Sequence, residues 1–507
     1  MFQMRRHQLK RQAQYMTKNC KTGDKGMTIN KRITSYILLA AVMVLIAVFL
    51  CGCEEKPDET ISVNALQEKI ENKTEAYLTD LSDSRSGLTT NEKMAKYILN
   101  WAESKGIRVK TEGEVIVMNV DGSELYKDAP KTIIVCPYDQ ENFDGTMNAL
   151  VLAFYVLKNN EDTGRLTALF IPEKAHDMSS ADLLEKKYFG KKTRVICLNG
   201  DEHASVARMT GGSSRYVFSK DYTMTKPKNK LAYKLKITGV RNSQVDNNIN
   251  EKLNPIVELN TLLASLRSSS IDFEIGSMKG GQDGLLYPGE CVLTITVDED
   301  RQSAVERKIM SRIESFDRRK KATDPDAVFE FEEASRPGKV IRQKDSSELV
   351  GFIYTLLEDE YHRDEDTDKL MAVCDISFIS TKDGKIRIGS NACSTDEDRL
   401  KEIDQAEKTL CGLSGFEYKK ESTYPSWDES LTEDTSAFTA AFKKAYKKYT
   451  GKKLKTDPQV TPSYTSAVKK LQDKCDMLAV TVSPNTLTDL TGTVMEYLIQ
   501  SNVNEEK

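Results

Sequence analysis

The sequence predicts an α/β protein: a mostly parallel sheet covered by helices on both faces, with an α+β layer inserted into it. Three observations carry this. Between residues 132 and 198 short apolar runs alternate with helical segments, the pattern that builds parallel strands joined by crossover helices. From residue 231 the strand-like runs alternate apolar and polar residues, as half-exposed strands do. Beyond residue 424 the helical pattern returns.

In chain order, residues 54–87 are polar and helix-forming, a tether followed by a first amphipathic helix. TIIVC at 132–136 reads as a buried strand, 145–157 as an apolar helix, LTALFI at 166–171 as a strand, 181–187 as a helix, and RVICL at 194–198 as a strand. The pattern changes around Gly211 and Gly212. LAYKLKI at 231–237 alternates with period two; a helix over 254–266, a strand over 291–297 and a helix over 304–313 follow, and the same kind of pattern recurs over 346–387. Phe438, Phe442, Ala445 and Tyr449 then share one helix face, before a strand at 478–482 and a last helix near Val494. The expected divisions are 1–26, an upstream extension; 27–53, a signal region; 54–212 and 419–507, two parts of one α/β domain; and 213–418, the inserted layer.

The chain of 507 residues is 39 % hydrophobic and 30 % charged, the balance of a globular protein, and its net charge of -4 gives no basic footprint for nucleic acid. Residues 37–50, ILLAAVMVLIAVFL, follow Lys31 and Arg32 and precede Cys51, Gly52 and Cys53. As a helix they rise about 21 Å, short of a bilayer core, so a secretory signal fits better than a spanning helix. Leu50 to Cys53 resemble a bacterial lipobox, which makes Cys53 the lipidated first residue of a mature protein on the outer face of a bacterial cell membrane. An uncleaved signal anchor is the alternative. MTINKR, starting at Met27, is a normal beginning for such a signal, so translation is expected to start there, with a short cytoplasmic tail as the other option. Seven cysteines remain after Cys53, widely spaced and without CxxC pairing, and they read as buried thiols.

In an open parallel sheet ligands sit beyond the carboxyl ends of the strands, which directs attention to residues 137–139, 172–177 and 199–203. Here the chain resembles the aminoacyl-histidine (Xaa-His) dipeptidases, a branch of the dinuclear zinc exopeptidases, through a string of short motifs over nearly the whole mature chain. The family's His-x-Asp corresponds to Pro137, Tyr138 and Asp139, and its Gly-Ala-Asp-Asn-Gly to Gly145, Thr146, Met147, Asn148 and Ala149, which puts Met147 at the metal-bridging position. Its Asp-Glu-Glu corresponds to Glu173, Lys174 and Ala175, so the general base and a ligand are replaced by Lys174 and Ala175. Its next metal-binding aspartate is kept as Asp201, and Gln244 stands where a histidine meets the substrate carbonyl. Gly211 and Gly212, Pro288, Glu290, and Tyr424 with Trp427 match motifs that serve the crossings and the fold, while SPNTLTDLTGT at 483–493 lacks the last histidine ligand.

The resemblance implies a phosphorylase/hydrolase-like zinc exopeptidase domain with an inserted α+β lid domain. A homodimer through the lid is a further implication, with residues 254–266 as the suspected helix. Zinc needs several ligands converging at about 2.0–2.2 Å and a base for the attacking water. Of five expected ligands and one base only Asp201 is kept, so no cofactor is expected. The alternative is an active, metal-dependent Xaa-His hydrolase whose zinc is held by a rebuilt site of His176, His203 and Asp201. Lys174 could hold a carboxylate as a point charge, or simply pair with nearby acids at the surface. The basic run FKKAYKKYTGKKLK at 442–455 invites a membrane-surface reading, against that of an ordinary solvated helix face. The expectation is a lipid-anchored, extracytoplasmic, peptidase-shaped protein that binds a peptide or partner without hydrolysing it. A purely structural envelope protein is a third reading.

Overall fold

The computed structural model describes residues 59–123, 130–160, 163–173, 178–191, 193–201, 204–241, 253–282, 284, 287–428 and 437–503. The signal region and Cys53 lie outside them. Helices α1 (Glu59–Ser84) and α2 (Asn91–Ser104) come first; the Thr90 hydroxyl caps α2 by accepting the Lys93 N–H. Strands β1 (Arg108–Glu112), β2 (Val115–Val120) and β3 (Thr132–Tyr138) lead to α3 (Phe143–Lys158), and β4 (Leu166–Pro172), β5 (Arg194–Gly200) and β6 (Ser205–Ala207) follow.

After the short β7 (Met209–Thr210) the chain enters a second sheet through β8 (Gly212–Asp221). Next come β9 (Met224–Thr225), β10 (Leu231–Thr238), α4 (Pro255–Ser268), β11 (Phe273–Gly281), β12 (Cys291–Val297), α5 (Gln302–Thr323), β13 (Val328–Glu333) and β14 (Val340–Ile341). Then α6 (Gln343–Thr355), β15 (Asp359–Arg363), β16 (Leu370–Lys382), β17 (Lys385–Ser394), α7 (Glu397–Ser414) and β18 (Glu417–Tyr424) complete this part. The chain returns through β19 (Trp427–Asp428), α8 (Ala437–Thr450), α9 (Tyr464–Leu471), β20 (Asp476–Val482) and α10 (Leu487–Val503).

The first sheet is mixed, in the order β1-β2-β4-β3-β5-β20-β6. Its four central strands are parallel; β1, β2 and β6 add antiparallel edges. Central strands buried on both faces explain the uninterrupted apolar runs. Ile134, Cys136, Phe170, Ile196 and Leu198 face a layer holding α2, α3, α8 and α10, whereas Ile133, Val135, Leu169, Ile171 and Val195 face α9 and the turns around Met178 and Tyr188. The buried face of α8 is the expected one, Phe438, Phe442, Ala445 and Tyr449.

The helix expected over 181–187 is not formed. Two single turns of 3-10 helix, Ser179–Leu183 and Lys186–Tyr188, stand there, with Met178 left-handed at φ 55° before them and Leu184 extended between them. Seven residues interrupted by an extended residue repay too little of the cost of nucleating an α-helix. The edge strands β1 and β2 were not anticipated. They form a hairpin around Gly113, whose φ of 61° suits glycine, and β1 is too exposed to show an apolar run.

All nine strands of the second sheet lie between Gly212 and Tyr424, and α4, α5, α6 and α7 contribute to its main apolar cluster. The chain's way in and way out touch. A Cβ on Gly211 would stand 1.7 Å from the Val460 carbonyl oxygen, and one on Gly212 2.5 Å from the Ser426 nitrogen, so neither position has room for a side chain.

Candidate functional site

The four parallel strands end on one edge of the first sheet, Tyr138 level with Pro172 and Gly200 level with Val482. Asp139, Glu173, Asp201 and Ser483 are the residues that leave this edge, where such sheets hold their ligands.

Asp139 is buried, and its Oδ1 accepts the Glu141 N–H at 3.0 Å, closing the loop that leads into α3. Its own N–H donates to the Thr146 hydroxyl at 3.0 Å. Asn91, at the start of α2, bridges two strand ends: Nδ2 donates to the Glu173 carbonyl at 2.6 Å, and Oδ1 accepts the Gln140 N–H at 2.8 Å. Glu173 is buried and its Oε2 accepts the hydroxyl of Tyr464. Tyr464 opens α9, held by the Ser463 hydroxyl, which accepts the Thr465 N–H.

Asp201 is exposed, and its N–H donates to the Val482 carbonyl at 3.2 Å. Met147, half-buried, packs against the apolar layer of α3. A Cβ on Gly200 would lie 1.5 Å from the Gly145 carbonyl oxygen, so the start of α3 sits directly on the end of β5. After β20, Ser483 and Thr486 form a reciprocal capping box.

A void of about 20 Å³ is lined by Pro137, Glu173, Met178, Asn199, Gln459 and Tyr464, among others. That volume takes about one water molecule. The Tyr424 hydroxyl donates to the Met178 carbonyl at 3.0 Å, tying the chain's return from the second sheet to this wall.

These residues do not fit a dinuclear zinc centre. Pro137 offers no donor, Met147 is packed into an apolar layer, and the Asp139 carboxylate already closes a turn. Cys136 and Cys197 are buried thiols pushed well above the usual thiol range by burial, so neither supplies a thiolate. Among the described residues no three histidine, cysteine or carboxylate side chains come together as metal ligands. Of the positions singled out in the sequence, Asp139, Met147 and Asp201 are placed around this edge, on separate tasks. Lys174, Ala175, His176, His203 and Gln244 lie outside the described residues. Tyr464, Asn91 and Thr146 were missed. Ser463 ahead of a helical pattern could have flagged a helix start, but nothing local links Tyr464 to a glutamate 291 residues away.

No protein-family model matches the chain, and no curated protein does. Solved structures do. An aminoacylhistidine dipeptidase from Vibrio alginolyticus matches with TM-score 0.58 and 15 % identity, over 85 % of this chain and 98 % of that one. The dipeptidase Dug1p of Saccharomyces cerevisiae matches with TM-score 0.47 and 11 % identity over 88 % and 99 %. The Bacillus subtilis YXEP protein, a dinuclear metal-binding peptidase of the M20 family, matches with 0.40 and 10 % over 84 % and 98 %. On the first of these likenesses the chain has a mixed α/β, dipeptidase-like fold; the likeness shows the fold alone.

Proposed function

We propose that this chain is a membrane-anchored, extracytoplasmic binding protein on a dipeptidase-like fold, and that it does not hydrolyse peptides. The observation behind this is the seat of Tyr464 on Glu173, at the strand ends where a peptidase opens its cleft. The void lined by Pro137, Glu173 and Tyr464 takes about one water, which favours a partner held on the outer surface over a peptide enclosed there. Anchoring is through a lipid on Cys53.

Elemental analysis of the purified chain should find zinc far below one per chain, and β-alanyl-histidine should remain intact. Stoichiometric zinc, with hydrolysis lost in Asp201→Ala, would overturn the proposal. Metal lost on replacing His176 or His203 would instead establish the rebuilt-site dipeptidase. Mass spectrometry of the mature N-terminus checks the anchor separately: an unmodified Cys53 refutes it.

A further inference from the structure

The lysine run at 443–455 has no part in the strand-end edge. Residues 437–456 hold seven lysines and no acid, in a chain with 73 basic and 77 acidic residues. On α8 the apolar face is buried, so the lysines stand on the opposite side. Lys448 pairs with Glu496 at 2.7 Å and Lys452 reaches Asp489 at 3.9 Å. Lys443, Lys444, Lys447, Lys453 and Lys455 make no ion pair among the described residues, and all but the half-buried Lys443 are exposed.

The lysines around β10 are placed differently. On and before β10, Lys230 pairs with Glu299 at 3.2 Å, Lys234 with Glu332 at 3.4 Å and Lys236 with Glu330 at 3.7 Å. The β10 face intersperses both signs, whereas residues 437–456 carry one. Single-sign charge raises the local potential and attracts a surface of opposite sign.

The position of the tether points to which surface. Ile70 of α1, Tyr155 of α3 and Tyr449 of α8 form one buried cluster, so α1 passes beside the end of α8 from which the lysine segment continues. Sixteen residues of chain lie between Cys53 and Ile70, so the two are at most about 60 Å apart. A lipid on Cys53 would tether the chain to a bilayer within that span of Ile70.

We propose that Lys443, Lys444, Lys447, Lys453 and Lys455 form an electrostatic docking face for an anionic lipid surface. With the apolar side of α8 committed to the core, contact is peripheral, by ammonium groups against phosphate headgroups. The anchored reading above supplies the nearness of a membrane; the charge stands without it.

The test uses the chain from Glu54, which keeps every buried apolar cluster, since these run from Ile70 to Leu498, and lacks Cys53 and the apolar run before it. It should sediment with vesicles of phosphatidylcholine and phosphatidylglycerol but not with phosphatidylcholine alone, and about 1 M salt should release it. Replacing the five lysines together by glutamine should weaken partition by roughly a hundredfold or more. A control carrying Lys230→Gln, Lys234→Gln and Lys236→Gln should bind like the parent. Thermal melts check that each variant is folded. Equal binding to both vesicle types, a five-lysine variant that sediments like the parent, or an equal loss in the control overturns the proposal. Tighter binding to polyglutamate than to the mixed vesicles overturns it in favour of an acidic protein partner. An unmodified Cys53 would remove the tether and leave this result standing.

Discussion

The carboxylates at the strand-end edge of the first sheet and those beneath the second sheet are held in opposite ways. Asp139 closes a turn, Glu173 meets a tyrosine hydroxyl, and Asp201 is open to water. Under the second sheet, Glu258 is almost fully buried between Arg312 at 2.7 Å and Arg319 at 2.6 Å, and Glu407 is buried with only the Leu357 backbone N–H opposing the effect of burial. The contrast teaches that convergence, and not the number of buried acids, makes a metal site. Beneath the second sheet Glu258 ties α4 to α5 through the two arginines.

The largest test of that contrast is Glu258→Ala. It leaves two arginines partly buried without their anion, and should destabilise the protein by about 3–5 kcal/mol in urea unfolding. A loss below about 1 kcal/mol would mean the triad behaves as a surface pair.

Glu407 sharpens the contrast through pH. Burial pushes its carboxyl from 4.5 up to about 7. The native state therefore holds a proton that the unfolded state has released, so stability is unaffected below about pH 4.5, falls as pH rises towards 7, and stays lowered above it. The change is about 3 kcal/mol. Thermal melts across this range should show the fall in the parent and a flatter profile in Glu407→Gln.

The smallest effect is expected at the strand-end edge. Tyr464→Phe removes the hydroxyl on Glu173 and should lower stability by about 1–3 kcal/mol. A variant as stable as the parent would show that the ring, rather than the hydroxyl, closes the edge.

Much of the first sheet was legible because its central strands are apolar on both faces and its helices carry one apolar stripe; 132–136, 166–171 and 194–198 all fall within observed strands. The turns at 179–188 were misread because apolar spacing is shared by helices and by short turns packed on a sheet. At the candidate site, Asp139 and Asp201 could be placed just after strand ends, and Met147 on the helix that follows the first strand, from the sequence. Their tasks could not, since the Asp139 turn depends on a backbone hydrogen bond and the burial of Met147 depends on neighbouring elements.

By itself the sequence determined the central strands at 132–136, 166–171 and 194–198, the helix between the first two, and the apolar face of α8, because periodicity and side-chain chemistry are local properties. The tertiary structure alone decided that Tyr464 reaches Glu173, that Gly211 and Gly212 lie against Val460 and Ser426, and that Ile70 brings α1 beside Tyr449. Each is a contact between residues far apart in the chain, fixed by close packing, which no local pattern encodes.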